Sequence, residues 1–187
     1  MKEQMNTLLA VLLTLGSLSV FANDVAPELK EIIDLFDNRM SYITTLRTDY
    51  SLKTKITNSD NLKNFGYATT YHDIEKKNLG PLIEIPLFGY SSLNKHSLLF
   101  ILCHELGHLI GGKYKTSIFS SFIQQNEDSA DQYAVQACLP MFYSSDKISY
   151  RKSILDAIEY IKDLNLGIDP TTLDKRTQRL MSHVDKI

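Results

Sequence analysis

The chain has 187 residues, 43% hydrophobic and 22% charged, with 20 Lys+Arg against 22 Asp+Glu. That is enough apolar material for one globular domain with a sizeable core. A net charge of −2 and the lack of a long Lys/Arg run exclude the electrostatic footprint of a nucleic-acid binder.

The opening stretch, "MKEQMNTLLAVLLTLGSLSVFAND", has a charged start with Lys2, an apolar run from Leu8 to about Phe21, and a small-x-small pattern at Val20-Phe21-Ala22. It predicts a secretory signal peptide over 1–22, since the run is short for a membrane span. The mature chain would then be 23–187, in the periplasm or outside the cell, with no stable membrane span after cleavage. No cysteine stands at the cleavage point, so no lipid anchor is expected. An oxidising compartment permits a disulfide between Cys103 and Cys138, with two buried free thiols as the alternative.

From Pro27 to about Arg47, apolar residues recur at three- and four-residue steps (Leu29, Ile32, Ile33, Phe36, Met40, Ile43), which predicts a helix with Pro27 in its first turn. Residues 49–77 are polar and without helical period, and predict short strands and turns. "GPLIEIPLFGY", 80–90, reads as a strand, at a sheet edge because Pro86 cannot donate a ladder hydrogen bond. Ser97 to Ile110 is a strongly apolar helix closed by Gly111-Gly112. A connection follows over 113–125. Further helices are predicted over Glu127–Leu139, stopped near Pro140, over Ser149–Leu164 and over Thr172 to about Val184. The order predicts an α+β fold, mainly helical, with a small sheet whose edge strand precedes the 97–110 helix.

That helix carries "CHELGHLIGG", 103–112. Positions i and i+4 lie about 40° apart and one turn up, so His104 and His108 aim their imidazoles at one point. Two neutral imidazoles are good zinc ligands. Glu105, about 100° further round, falls beside such a metal and can take a proton from an activated water. Two imidazoles and a carboxylate among leucines, isoleucines and Phe100 would be costly to bury without a partner. One Zn2+ per chain supplies that partner.

Catalytic zinc generally has three protein ligands. "NEDSADQYAVQAC", 126–138, places Glu127 and Asp131 one turn apart on one helical face, flanked by Ala130 and Ala134. Small residues here, with Gly107 and Gly111 opposite, would allow close approach of the two helices. Glu127 then becomes the third ligand, and Asp131 accepts an imidazole N–H and sets the ligand tautomer. A solvated acidic first turn is the bland alternative for Glu127.

"HELGH" followed by "EDSADQYA" resembles the gluzincin metallopeptidases of the CAAX-prenyl-protease and HtpX type, over residues 80–138. The resemblance implies a zincin-like domain with zinc on His104, His108 and Glu127, Glu105 as general base and Asp131 behind the ligands. It also implies that the strand before the active helix, here 82–87, binds an extended polypeptide substrate by strand addition. Where many members carry His-Pro before a C-terminal arginine, this chain has "TTLDKRTQRL". Arg179, with Arg176 as the second choice, would match that arginine and contact substrate or transition state. Small secreted members would pair Cys103 with Cys138. Straight, parallel-sided helices would hold these two beyond the Cα limit of about 7 Å for a disulfide, so pairing needs crossed helices or an early end to the second one.

These features predict a secreted zinc metalloendopeptidase. A zinc-containing envelope chaperone or peptide-binding module with gated proteolysis is the alternative, and a zinc amidohydrolase a weaker third. Tyr90, Tyr133, His96, His72, His183 and Asp128 are assigned to packing, capping or the solvated surface.

Overall fold

A computed structural model describes residues 26–48, 52–57, 67–73, 78–86, 93–111, 123–163 and 169–186. The expected signal peptide 1–22, Tyr90 and most of the expected 113–125 connection lie outside them.

Helix α1 spans Pro27–Thr48. Its first turn is closed by Ala26 O, which accepts from Leu29 N and Lys30 N, and Leu29, Ile33, Phe36 and Met40 are buried, as their spacing predicts. Among the described residues three strands follow: β1 (Lys53–Thr57), β2 (Tyr67–Asp73) and β3 (Asn78–Pro86). Their order is β1-β3-β2, with β1 parallel and β2 antiparallel to β3. The expectation of an edge strand at 82–87 is therefore corrected, because β3 lies between the other two. Its prolines do not forbid this. The parallel ladder starts at Lys53↔Leu82 and ends at Thr57↔Pro86, so Pro81 lies just outside it and Pro86 occupies its last rung. The five residues from Pro81 to Ile85 are all buried, as befits a strand covered on both faces.

Helix α2, Lys95–Gly111, runs through the middle of the core. Asn94 caps it, its Oδ1 accepting from His96 N and Ser97 N at 2.9 and 3.0 Å. Every residue from Leu98 to Leu106 is buried, and α2 touches α1, β2, β3 and the helices over 123–163.

Helix α3, Ile123–Tyr133, ends earlier than expected, giving way to a π-helical turn over Ala134–Cys138 and then to α4, Leu139–Tyr143. Pro140 does not stop the chain; it lies in the first turn of α4, where a missing N–H costs nothing. The π turn adds a residue to the winding and resets the face that follows. Cys138 is thereby brought to Cys103, with which it forms a disulfide at a Cα–Cα distance of 5.6 Å. Helix α5, Lys147–Asp163, buries Ile154, Ile158 and Ile161. Helix α6, Pro170–Val184, is capped by Asp169, which accepts from Thr172 N at 2.9 Å. The architecture is α+β and mostly helical. Among the described residues no helix is long and apolar enough to cross a membrane.

Candidate metal centre

The centre forms where α2 meets α3. Gly107 gives α2 a bare patch, and the backbone of Ala130 on α3 lies against it. This contact lets the next turn of each helix bring its polar side chains together.

His104 Nε2 and His108 Nε2 are 3.0 Å apart, and their rings stand at 89° to each other. Glu127 closes the triangle, with Oε2 at 3.2 Å from His104 Nε2 and Oε1 at 3.3 Å from His108 Nε2. A tetrahedral ion with bonds of about 2.0–2.1 Å needs ligand atoms about 3.3 Å apart. The two carboxylate distances run to different oxygens, one facing each imidazole, and one ligand atom from each residue lies within 4.8 Å of the others; two imidazoles with a carboxylate are a chemically apt donor set. These three residues can hold a metal ion.

Behind the triangle, Asp131 Oδ1 lies 2.8 Å from His104 Nδ1. An ionised carboxylate only accepts, so Nδ1 carries a proton and Nε2 is the atom offered to a metal. Phe100 stacks on the His104 ring with an interplanar angle of 17°. Glu105 is 2% exposed and makes no hydrogen bond or ion pair among the described residues.

Electrostatics follow from this crowding. Burial opposes a charged His104, but its hydrogen bonds with Asp131 and Glu127 prevail and raise its pKa to about 9 in the metal-free chain. Burial works to raise Glu127 as well, yet bonds from His104 and His108 hold it far below the usual carboxylate range. Asp131 is likewise lowered against burial, by His104 and Arg176. Glu105 goes the other way: burial raises it, and the two histidines offset this only in part.

Arg176 is the residue that sequence reasoning placed second. It is 7% exposed and donates from Nε to Asp131 Oδ2 and from Nη2 to Asp131 Oδ1, both at 2.8 Å. Its Nη1 stands 3.2 Å from Glu127 Oε2. Arg179, the first choice, points outward to an exposed pair with Asp128. A signal for Arg176 existed in the sequence. It shares a stripe with Leu180 and Val184 at four-residue steps, and all three are buried, so it was the basic residue on the apolar face.

The remaining candidates lie elsewhere. His96 Nδ1 is 3.2 Å from Tyr143 Oη at the start of α2. His72 pairs in β2 opposite Leu79, and His183 is in the last turn of α6. Tyr133 packs against the core.

No protein-family model matches the chain, and no curated protein or solved structure matches it significantly.

Proposed function

We propose that this chain is a zinc-dependent metalloendopeptidase of the gluzincin kind, similar to the CAAX-prenyl-protease and HtpX type. The observation that carries the reading is the His104–His108–Glu127 triangle with a buried Glu105 beside it that has no hydrogen-bond or ion-pair partner among the described residues. A buried carboxyl without a partner is expensive in a purely structural helix. Beside a metal and a water it has work to perform.

When bound, zinc supplies Lewis acidity, polarising a scissile carbonyl and acidifying a water. Glu105 accepts the proton of the attacking water and passes it to the leaving amine nitrogen. Its buried surroundings keep it more basic than an exposed glutamate, which suits both halves of that transfer. Asp131 keeps the Nδ1 proton on His104, and Phe100 limits rotation of the ring.

The substrate is a polypeptide in extended form. Both edges of β3 are occupied by β1 and β2, so strand addition belongs on an outer strand. Of the two, β2 packs against α2, and its outer edge carries the substrate in this reading. A disulfide in the core is in keeping with export to the periplasm or beyond.

The test is the full chain purified with stoichiometric zinc and assayed on an unstructured protein substrate, beside Glu105→Gln and Glu127→Ala. Chelator-sensitive hydrolysis is expected in the wild type. Glu105→Gln should bind zinc normally and lose on the order of 10²–10⁴-fold in kcat/KM. Zinc-loaded Glu105→Gln retaining the biological role would instead favour the peptide-binding module. Full zinc in Glu127→Ala would remove Glu127 from the ligand set.

A further inference from the structure

We infer that Arg176, on the C-terminal helix, is the positioning residue of the metal centre, and that it acts through its forked geometry rather than its charge. The inference rests on the metal-site reading above and adds a residue from a third segment to it.

Three nitrogens of one guanidinium are engaged. Nε and Nη2 grip the two oxygens of Asp131 at 2.8 Å, and Nη1 reaches Glu127 Oε2 at 3.2 Å. Asp131 orients His104 through Nδ1 at 2.8 Å. Arg176 therefore holds one ligand directly and another through a single intermediary. Both carboxylates lie on α3, four residues apart, and the arginine spans the turn between them. Its own place is set independently, by Leu180 and Val184 buried on the same face of α6 and by the Asp169 cap at the start of that helix. Among the described residues it grips three carboxylate oxygens, two of them on Asp131, which is not a candidate ligand.

Two roles for such an arginine predict opposite signs. Coulomb repulsion from a guanidinium weakens cation binding, so a residue acting by charge alone would, on removal, let the site bind zinc more tightly. A residue that aims Asp131 and Glu127 would, on removal, let them turn away and weaken binding, by about 10–100-fold, as is usual for groups that orient metal ligands. Lysine keeps the charge but presents a point donor that cannot span the two carboxylates, so under the positioning role it behaves like the neutral variant.

The experiment measures zinc affinity by chelator competition, and the visible spectrum of the Co2+ form, for wild type, Arg176→Gln, Arg176→Lys and Arg179→Gln. Weakening by about 10–100-fold in both Arg176 variants, with an altered Co2+ spectrum and with Arg179→Gln like the wild type, supports the inference. Tighter or unchanged binding in Arg176→Gln, or restoration by Arg176→Lys, overturns it. Should the variants fail to fold, the wild type supplies the answer by 15N NMR of the arginine Nε–H groups. One Nε–H protected from solvent and shifted stoichiometrically by added zinc supports the inference, and no such resonance overturns it. A wild type that binds no metal would sink the metallopeptidase reading itself, an outcome distinct from these.

Discussion

Gly107 and Ala130 meet with no room between them: a Cβ at position 107 would lie 2.8 Å from the Ala130 Cα and 2.9 Å from its carbonyl oxygen. Both atoms are backbone, so relief would require moving α3 as a body. Glu127 and Asp131 ride on that helix. Gly107→Ala should destabilise the fold by about 1–3 kcal/mol despite alanine's better helix propensity. It should also weaken zinc binding, because Glu127 is pushed away from the two histidines. Thermal unfolding and chelator competition check the two effects; a variant as stable and as zinc-avid as the wild type would refute the tight-contact argument.

Asp131→Asn tests the tautomer argument. The asparagine amide can present either its carbonyl or its NH2 group to His104, so Nδ1 is no longer compelled to be the protonated nitrogen. Zinc affinity should fall by about 10–100-fold. Arg176 also loses a buried charge partner, at a cost on the order of 3 kcal/mol, which denaturant titration of the metal-free chain would read.

Metal binding should depend on pH through His104. Its pKa is raised to about 9 in the metal-free chain, above the unfolded value of about 6.5. Its stabilising contribution is therefore complete below pH ~6.5 and disappears as pH rises through about 9. Zinc requires the neutral ring, so filling the site expels that proton and affinity should climb across the same window. Zinc titrations in buffers of different ionisation enthalpy would reveal the released proton. At the acid end the sign reverses. Glu127 is depressed below its ordinary value, so its contribution is present above about pH 4.5 and is lost as pH falls below that.

The disulfide closes a stretch with a sequence separation of 35 and joins α2, one residue before a candidate ligand, to the π turn after α3. Cys103→Ser with Cys138→Ser should lower stability by about 2–4 kcal/mol. Both sulfurs are buried, so reductant should act on the native protein only slowly, and faster once it is partly unfolded. Mass spectrometry of alkylated thiols across a denaturant series would show this ordering.

What the sequence determined on its own was local. His104, Glu105 and His108 converge because helical geometry repeats every 3.6 residues, whatever surrounds it. Glu127 and Asp131 share a face for the same reason, and the buried faces of α1 and α5 follow from apolar spacing. Tertiary structure decided which pieces meet. Whether β3 was an edge or a centre depended on where β1 pairs, and the nearly unbroken apolar run in "PLIEIPL" was the available hint of a strand covered on both faces. Cys103 and Cys138 meet where α3 gives way to a π turn, a change of winding that straight-helix extrapolation does not contain. Arg176 and Arg179 are three residues apart on one helix, and one is buried on Asp131 while the other reaches outward to Asp128. That choice was made by the rotation of α6 as it buries Leu180 and Val184; the four-residue stripe of Arg176, Leu180 and Val184 was its hint in the sequence, whereas the meeting with Asp131, 45 residues away, was set by packing between helices.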